Sequence, residues 1–162
     1  MMALADFVPS EGQRRIADAI TAAERHTTGE ICVHVTPRCR GDVVRRATKT
    51  FNRLHLYTTK RRNAVLIFVA YEDRKFAILG DTGINEAVPK GFWDGEVAEL
   101  GKYLKAGRPV DGLCEIIARM GDRLSEYFPG ERDDENELSN EVSYDDLDDD
   151  TETEDNDYGN ME

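Results

Sequence analysis

The stretch Ala64-Val65-Leu66-Ile67-Phe68-Val69-Ala70 decides the fold of this chain, because it is a run of seven apolar residues rich in strand formers. A strand that is apolar on both faces belongs in the middle of a sheet, where helices cover it from above and below. We therefore expect residues 64–70 to form a central strand.

Two further patterns extend the sheet on either side of this strand. Residues 30–36 alternate, with Ile31, Val33 and Val35 on one face, and this alternation predicts a strand. A helical pattern separates it from the central strand, so the two strands should be parallel, with a right-handed crossover. Residues 75–79 follow the central strand after a short turn and should return antiparallel to it.

Four helices are predicted from apolar residues that recur at helical spacing. Ser10 and Gln13 fit a capping box at the start of the first helix. Asp42 can cap the second helix, and Pro109 suits the first position of the fourth. The second helix is expected to bury one apolar face, formed by Val43, Val44, Ala47, Phe51 and Leu54. The order of elements predicts an α/β fold, a three-layer α/β/α sandwich whose small mixed sheet is covered by helices on both faces.

The acidity of the chain is confined to its C-terminal end. The 162 residues carry a net charge of -12, yet residues 131–162 alone hold 16 acidic residues and one base. Residues 1–130 carry a net charge of +3 and suffice for one domain. We expect this domain to be followed by an acidic, mostly disordered tail at 131–162. Within the tail, residues 131–144 could dock, because residues 141–144 alternate like a strand and could add to a sheet edge.

A basic segment precedes the central strand. Residues 38–62 hold nine bases and one acid, which creates a field that attracts anions. One interpretation is an ordinary solvated helix face. A second is that the acidic tail screens this basic face within the same molecule, with Leu138, Val142 and Tyr144 as apolar anchors. We do not expect nucleic acid as a partner, because the tail would repel phosphates.

The composition also bears on the compartment. No apolar run approaches the ~20 residues of a membrane-spanning helix, and the N-terminus lacks the pattern of a secretory signal. Cys32, Cys39 and Cys114 are odd in number and widely spaced, which argues against a disulfide framework. Cys32 and Arg38 have the spacing of a cysteine phosphatase, but no glycine-rich loop lies between them, so we expect a buried thiol. A monomeric cytoplasmic protein without membrane contacts is the expectation.

Three polar turns should meet at one edge of the predicted sheet. Residues 28–30 precede the first strand, residues 61–63 precede the central strand and residues 80–83 follow the antiparallel strand. The start of a strand and the end of its antiparallel neighbour lie at the same edge. The predicted loop at residues 80–91 would then lie beside the other two turns.

The side chains of these turns suggest a metal site. Glu30 and Asp81 offer carboxylates, and Asn63 offers an amide. Together with the Thr82 hydroxyl these are the hard oxygen ligands that Ca²⁺ and Mg²⁺ prefer. Arg62 adds a guanidinium suited to phosphate or carboxylate. The alternative is that the two acids cap loops or pair with arginines.

Trp93 follows the loop at residues 80–91 and falls on the apolar stripe of the third helix. Packing in the core is the first interpretation. Its place after the loop also lets it wall a pocket and contact a substrate there.

Several of these motifs resemble the TPM domain family. The resemblance covers about residues 7–130 and is strongest to short soluble bacterial members. It rests on Thr28-Gly29-Glu30-Ile31, Arg62-Asn63-Ala64-Val65-Leu66-Ile67, Gly80-Asp81-Thr82-Gly83-Ile84-Asn85, Phe92-Trp93 and Tyr127-Phe128-Pro129.

This resemblance implies an α/β/α sandwich that binds a divalent cation through acidic loop residues, and acid phosphatase activity is attributed to a plant member. By position it implies Glu30 and Asp81 as metal ligands, with Asp81 also catalytic. Arg62, Asn63, Thr82 and Trp93 would then contact the substrate. Two hypotheses stay open: metal-dependent hydrolysis of phosphate esters, and a non-catalytic protein-interaction module whose acidic tail screens the basic face.

Overall fold

The apolar run at residues 64–70 forms an inner strand that is buried along its whole length. The computed structural model describes residues 3–130 and 137–145. Within them the sheet has four strands, which are β1 (Glu30–Thr36), β2 (Ala64–Ala70), β3 (Lys75–Gly80) and β4 (Ser143–Tyr144). Their order is β3-β2-β1-β4, so β2 is an inner strand as predicted.

The register of the sheet aligns the turns at its edge. Strands β1 and β2 are parallel, with Glu30 opposite Ala64. Strands β2 and β3 are antiparallel, with Val65 opposite Gly80. Strand β4 lies parallel to β1, with Ser143 opposite His34. The directions predicted for β1, β2 and β3 are confirmed.

Helices cover both faces of this sheet. They are α1 (Leu4–Phe7), α2 (Ser10–Ala23), α3 (Val43–Arg53), α4 (Thr82–Ala87), α5 (Asp94–Lys105) and α6 (Pro109–Tyr127). On one face α2, α5 and α6 bury Ile31, Val33 and Val35. On the other face α3 buries Cys32, Leu66 and Phe68. The predicted three-layer α/β/α sandwich is confirmed.

The start of α2 differs from its prediction. Pro9, rather than Ser10, is the N-cap, and no side chain caps the helix. Gln13 donates its side-chain amide to the Val8 carbonyl oxygen at 3.0 Å, so the predicted capping box is wrong. The fixed φ of proline already sets the direction of entry, which leaves Ser10 as an ordinary first helical residue.

The buried stripe of α3 is rotated from its predicted position. Ala47 and Phe51 are buried, but Val44 is half exposed. The polar residues Arg46 and Thr50 are buried instead. The stripe therefore turns toward Arg46, whose guanidinium has partners inside the protein, and leaves Val44 at its margin.

The region predicted as a loop at residues 80–91 contains the short helix α4. Asp81 caps this helix, because its carboxylate accepts a hydrogen bond from the Thr82 backbone N–H. None of the helices in the described ranges has the length and apolar character needed to cross a bilayer. The predicted disorder of the tail falls mainly on residues 131–136 and 146–162, which lie outside the described residues.

Candidate functional site

The three polar turns meet at the edge of the sheet where β1 and β2 begin. The Thr28 hydroxyl oxygen accepts hydrogen bonds from the Asn63 side-chain amide at 3.2 Å and from the Arg61 guanidinium at 3.3 Å. The Gly83 backbone N–H donates to the Arg62 carbonyl oxygen at 2.8 Å. Topology therefore joins turns that lie about 50 residues apart in sequence.

Asp81 is paired with Arg62 at this edge. The Arg62 Nε atom donates to Asp81 Oδ2 at 2.7 Å, and a terminal nitrogen of the same guanidinium donates to Oδ1 at 2.9 Å. The Thr82 backbone N–H donates to Oδ1 at 2.7 Å. These hydrogen bonds raise the pKa of the Arg62 guanidinium above its ordinary value. Both oxygens of the buried Asp81 carboxylate therefore have donors from the protein.

Glu30 has a different set of partners. Its buried carboxylate accepts hydrogen bonds from the backbone N–H groups of Glu137 at 2.8 Å and Leu138 at 2.7 Å. Glu30 and Asp81 flank Ala64 across the sheet, because Glu30 is opposite Ala64 and the Asp81 N–H donates to the Ala64 carbonyl. Two strand spacings put their backbones roughly 10 Å apart. Glu30 thus anchors the C-terminal segment, which comprises residues 137–145.

A divalent cation that joined Glu30 and Asp81 would have to displace the present partners of both carboxylates. Both carboxylates accept hydrogen bonds from other donors, and the Arg62 guanidinium forms an ion pair with Asp81. Within residues 3–130 and 137–145, no three His, Cys, Asp or Glu side chains form a group that could hold a metal. The structure does not test the predicted cation site directly, so that site stays a prediction.

Two further residues that the sequence singles out, Trp93 and Cys32, both pack inside the fold. Trp93 is the N-cap residue of α5 and is 9% exposed. Its ring meets Phe92 edge-on, with 4.7 Å between the centroids, and it belongs to the core under α2, α5 and α6. Cys32 lies inside β1, where burial raises the pKa of its thiol.

A second polar cluster lies at the opposite end of β1. Asp145 accepts a hydrogen bond from the Thr36 hydroxyl at 2.7 Å and another from His34 Nε2 at 2.8 Å. The guanidinium groups of Arg53 and Arg46 lie 3.5 Å and 3.7 Å from its oxygens. We call the set His34, Thr36, Arg46 and Arg53 the anion pocket, because it surrounds a carboxylate with cationic and neutral donors.

Local structure explains how the anion pocket forms. His34 and Thr36 point to the same face of β1, because strand residues alternate. Arg46 and Arg53 lie seven residues apart on α3, which places them on one side of the helix. Arg46 is only 2% exposed and also donates to the Arg38 carbonyl oxygen at 3.2 Å. Its burial needs nearby acceptors, since a charge without partners is costly to bury.

The C-terminal segment of residues 137–145 runs along β1 from Glu30 to the anion pocket. Val142 is buried in the core under α2, and Leu138 packs partly against the core under α3. The Asp145 backbone N–H donates to the Val35 carbonyl oxygen at 3.2 Å. Of the three predicted anchors, Tyr144 differs, since it is 59% exposed.

Sequence reasoning missed the anion pocket as a unit. The sequence marks the two arginines only as part of the general basic segment at residues 38–62. A signal existed in the spacing, because His34 and Thr36 lie on one face of β1, while Arg46 and Arg53 lie on one side of α3. The partner, Asp145, is more than 100 residues away from the strand that it contacts.

Comparisons with known proteins agree with this architecture. A family model described as the TPM domain matches residues 2–123, so the chain belongs to the TPM domain family. The fold is similar to the NMR structure of the BA42 protein from the psychrophilic bacterium Bizionia argentinensis. The two share 40% sequence identity and a TM-score of 0.82, over 90% of this chain and 100% of that one. Among curated proteins no match was found.

Proposed function

We propose that this TPM domain is a non-catalytic protein-interaction module. Its recognition surface is the edge of β1 that faces away from β2, together with the anion pocket. The C-terminal segment of residues 137–145 screens this surface within the same molecule. One observation carries the proposal: Asp145 lies in the anion pocket while β4 pairs with β1.

The contacts of this segment are those that a partner peptide could make. Strand addition to a sheet edge supplies backbone hydrogen bonds, and a basic pocket selects an acidic side chain. Hydrogen bonds to a charged group contribute about 1.5–3 kcal/mol each. The pairing between β1 and β4 spans only two residues. A short strand of this kind is suited to exchange with a competing segment.

Competition against the attached segment sets the affinity for a partner. A tethered ligand has an effective concentration of about millimolar or more. A partner in solution therefore binds poorly until the C-terminal segment leaves. Asp145→Lys in the full-length chain should release the segment, because the lysine would face Arg46 and Arg53.

The test measures how a fluorescent peptide with the sequence of residues 139–147 binds to full-length variants. We expect Asp145→Lys to bind it at least about tenfold more tightly than the wild type, because the tethered competitor is removed. Glu126→Lys makes the same charge change at an exposed position of α6 and should behave like the wild type. The proposal fails if the peptide binds Asp145→Lys no better than it binds Glu126→Lys.

Divalent-cation binding with phosphate-ester hydrolysis is the second candidate function. One observation favours it: the buried Asn63 Oδ1 atom accepts no hydrogen bond from the part of the chain that the structure describes. A cation there would draw on Glu30 and Asp81 only if their present partners moved, with Arg62 and Thr82 near the substrate. The family resemblance implies Asn63 and Trp93 as further substrate contacts.

This second candidate predicts that Ca²⁺ or Mg²⁺ raises the melting temperature of the wild type, since a ligand stabilises the state that it binds. Asp81→Asn should lose that increase. Turnover of a generic phosphate ester should then depend on the cation and stop with a chelator. An unchanged melting temperature, or turnover that survives Asp81→Asn, would contradict it.

A further inference from the structure

We propose that a cleft beside α1 binds a long-chain carboxylate, with the apolar chain on the cleft floor and the carboxylate at a basic rim. The cleft lies between α1, the turn that joins β2 to β3, the C-terminal half of α5 and the start of α6. We call it the α1 cleft. Its volume is about 1070 Å³, comparable with the largest clefts that hold small molecules. No residue of the C-terminal segment lines it, so this inference is independent of the proposed interaction function.

The position of the α1 cleft in the sheet is the first argument. Tyr71 and Glu72 line the cleft and directly follow β2, so the cleft lies at the carboxyl end of this strand. Ligands of open α/β sheets bind outside the carboxyl ends of the strands. The three polar turns lie at the opposite edge, where β1 and β2 begin. The α1 cleft is therefore separate from the candidate cation site.

The floor of the α1 cleft is the second argument, because it is apolar and incompletely covered. Phe7, Tyr71, Phe76 and Leu104 pack partly against the core and are partly exposed. The rings of Phe7 and Tyr71 stack, with 4.8 Å between their centroids. An apolar chain that covers these side chains removes their surface from water, and this favours binding.

Gly101 keeps part of this floor open. It lies inside α5, where glycine is a poor helix former. A Cβ atom at this position would lie 3.4 Å from Phe76 Cζ, which is an ordinary contact, so packing does not require glycine here. A longer side chain would occupy the space beside the Phe76 ring, where we place the chain of the ligand.

Charge at the rim of the α1 cleft is the third argument. Six bases and three acids line the cleft. Arg15 and Arg108 form ion pairs with Asp111. Three other bases have neither an ion pair nor a hydrogen-bond partner for the side chain within residues 3–130 and 137–145; they are Arg74, Lys102 and Lys105. An excess of positive charge beside an apolar floor attracts an anion rather than a cation.

The polar groups of the α1 cleft favour a long-chain carboxylate over a sugar or a nucleotide. Among the described residues that line the cleft there is no Ser, Thr, Asn, Gln or His. Neutral donors and acceptors of these kinds orient the hydroxyl groups of sugars and the edges of bases. An apolar floor with a cationic rim instead matches a ligand that consists of a chain and one charged end.

The test is isothermal titration calorimetry of the full-length protein with dodecanoate, at concentrations where this ligand is monomeric. We expect dodecanoate to bind at least about tenfold more tightly than dodecyltrimethylammonium, which has the same chain and the opposite charge. It should also bind at least about tenfold more tightly than butanoate, which has the same carboxylate and a shorter chain. Equal affinity for the two dodecyl ligands, or no binding of dodecanoate, would overturn the inference.

A substitution at Gly101 tests whether the ligand lies on the floor of the cleft. Gly101→Leu should weaken dodecanoate binding at least about tenfold, because the leucine side chain fills the space of the apolar chain. Gly95→Leu makes the same change in the first turn of α5, where a Cβ atom meets nothing within 4 Å, and should bind like the wild type. Both changes favour the helix, so a melting temperature without ligand that is no lower than that of the wild type verifies folding.

A substitution at the rim tests the charge without changing the floor. Lys102→Gln should weaken dodecanoate binding at least about threefold. Lys90→Gln removes the same charge from an exposed position outside the cleft and should leave binding unchanged. Wild-type affinity in both Gly101→Leu and Lys102→Gln would place the ligand elsewhere and overturn the inference.

NMR of the wild type locates the ligand without any substitution. We expect nuclear Overhauser effects between the methylene protons of dodecanoate and the ring protons of Phe76 and Tyr71, which both line the cleft. Bound dodecanoate that shows such contacts only to other parts of the protein would overturn the inference.

Discussion

Asp81 is the residue on which a structural role and a catalytic role differ most sharply. It caps α4 through the Thr82 N–H and pairs with Arg62 through two hydrogen bonds. Both interactions stabilise the fold without any cation. The structural role therefore predicts a loss of stability on substitution in a cation-free buffer.

Asp81→Ala should lower the free energy of unfolding by about 2 kcal/mol, because it removes a helix cap and a charge-assisted pair. Asp81→Asn should lose about half as much, since asparagine still caps a helix. Urea denaturation in the presence of a chelator measures both values. If Asp81→Ala were as stable as the wild type under these conditions, the structural role assigned to Asp81 would be wrong.

The cysteines provide a second test at the residue scale. Cys32 and Cys39 are buried, and Cys114 is partly exposed. Burial raises the pKa of the Cys32 and Cys114 thiols above the ordinary value. The thiolate is the reactive form, so a raised pKa keeps both groups protonated at neutral pH and delays reaction until the pH is higher.

We expect iodoacetamide to label Cys114 first in the folded protein and more rapidly as the pH rises above 8. Cys32 and Cys39 should react only after unfolding, because the reagent cannot reach them. Mass spectrometry of peptides from native and denatured samples gives the order. Labelling of native Cys32 at the rate of Cys114 would contradict the burial of β1.

At the scale of elements, the sequence predicts what depends on local pattern. The apolar run of β2 and the alternation of β1 determine both strands, and Pro109 marks the start of α6. Asp42 caps α3 as predicted, since its carboxylate accepts from the Arg45 N–H at 3.1 Å. These features need only neighbours in sequence, which is why they can be read from it.

The sequence fails where an element depends on a distant partner. The stripe of α3 turns toward Arg46, which meets Asp145 at the far end of the chain. The sequence also gives no sign that the Glu30 carboxylate accepts hydrogen bonds from the backbone N–H groups of Glu137 and Leu138. Pairing between β1 and the C-terminal segment brings these groups together. The alternation at residues 141–144 indicates a strand that could add to a sheet edge, but no local spacing identifies β1 as its partner.

Glu30→Gln tests the anchoring of the C-terminal segment at the element scale. Glutamine offers one acceptor oxygen, and its amide would face one of the two backbone N–H groups. We expect hydrogen exchange at the Glu137 and Leu138 amides to accelerate at least about tenfold, which is a loss of about 1.4 kcal/mol of local protection. Amides of β2 should keep their protection, and Glu126→Gln should change neither region. Unchanged exchange at both anchored amides would contradict this role for Glu30.

At the scale of the whole molecule, the charge distribution favours contact between the C-terminal segment and the domain that precedes it. Residues 1–130 carry a net charge of +3 and residues 131–162 carry -15. The field of the basic segment attracts acidic residues, and contacts at Glu30, Val142 and Asp145 set where residues 137–145 dock. The C-terminal segment thereby covers the proposed recognition surface on β1.

The most direct test of this account is an NMR measurement of proton contacts between β4 and β1 in the full-length chain. We predict nuclear Overhauser effects between the backbones of Ser143 and His34 and between those of Tyr144 and Val35, which are opposite each other in the register. In Asp145→Lys these contacts should vanish while those between β1 and β2 persist. A wild-type spectrum that lacks the contacts between β4 and β1 would contradict the docking of the C-terminal segment on β1.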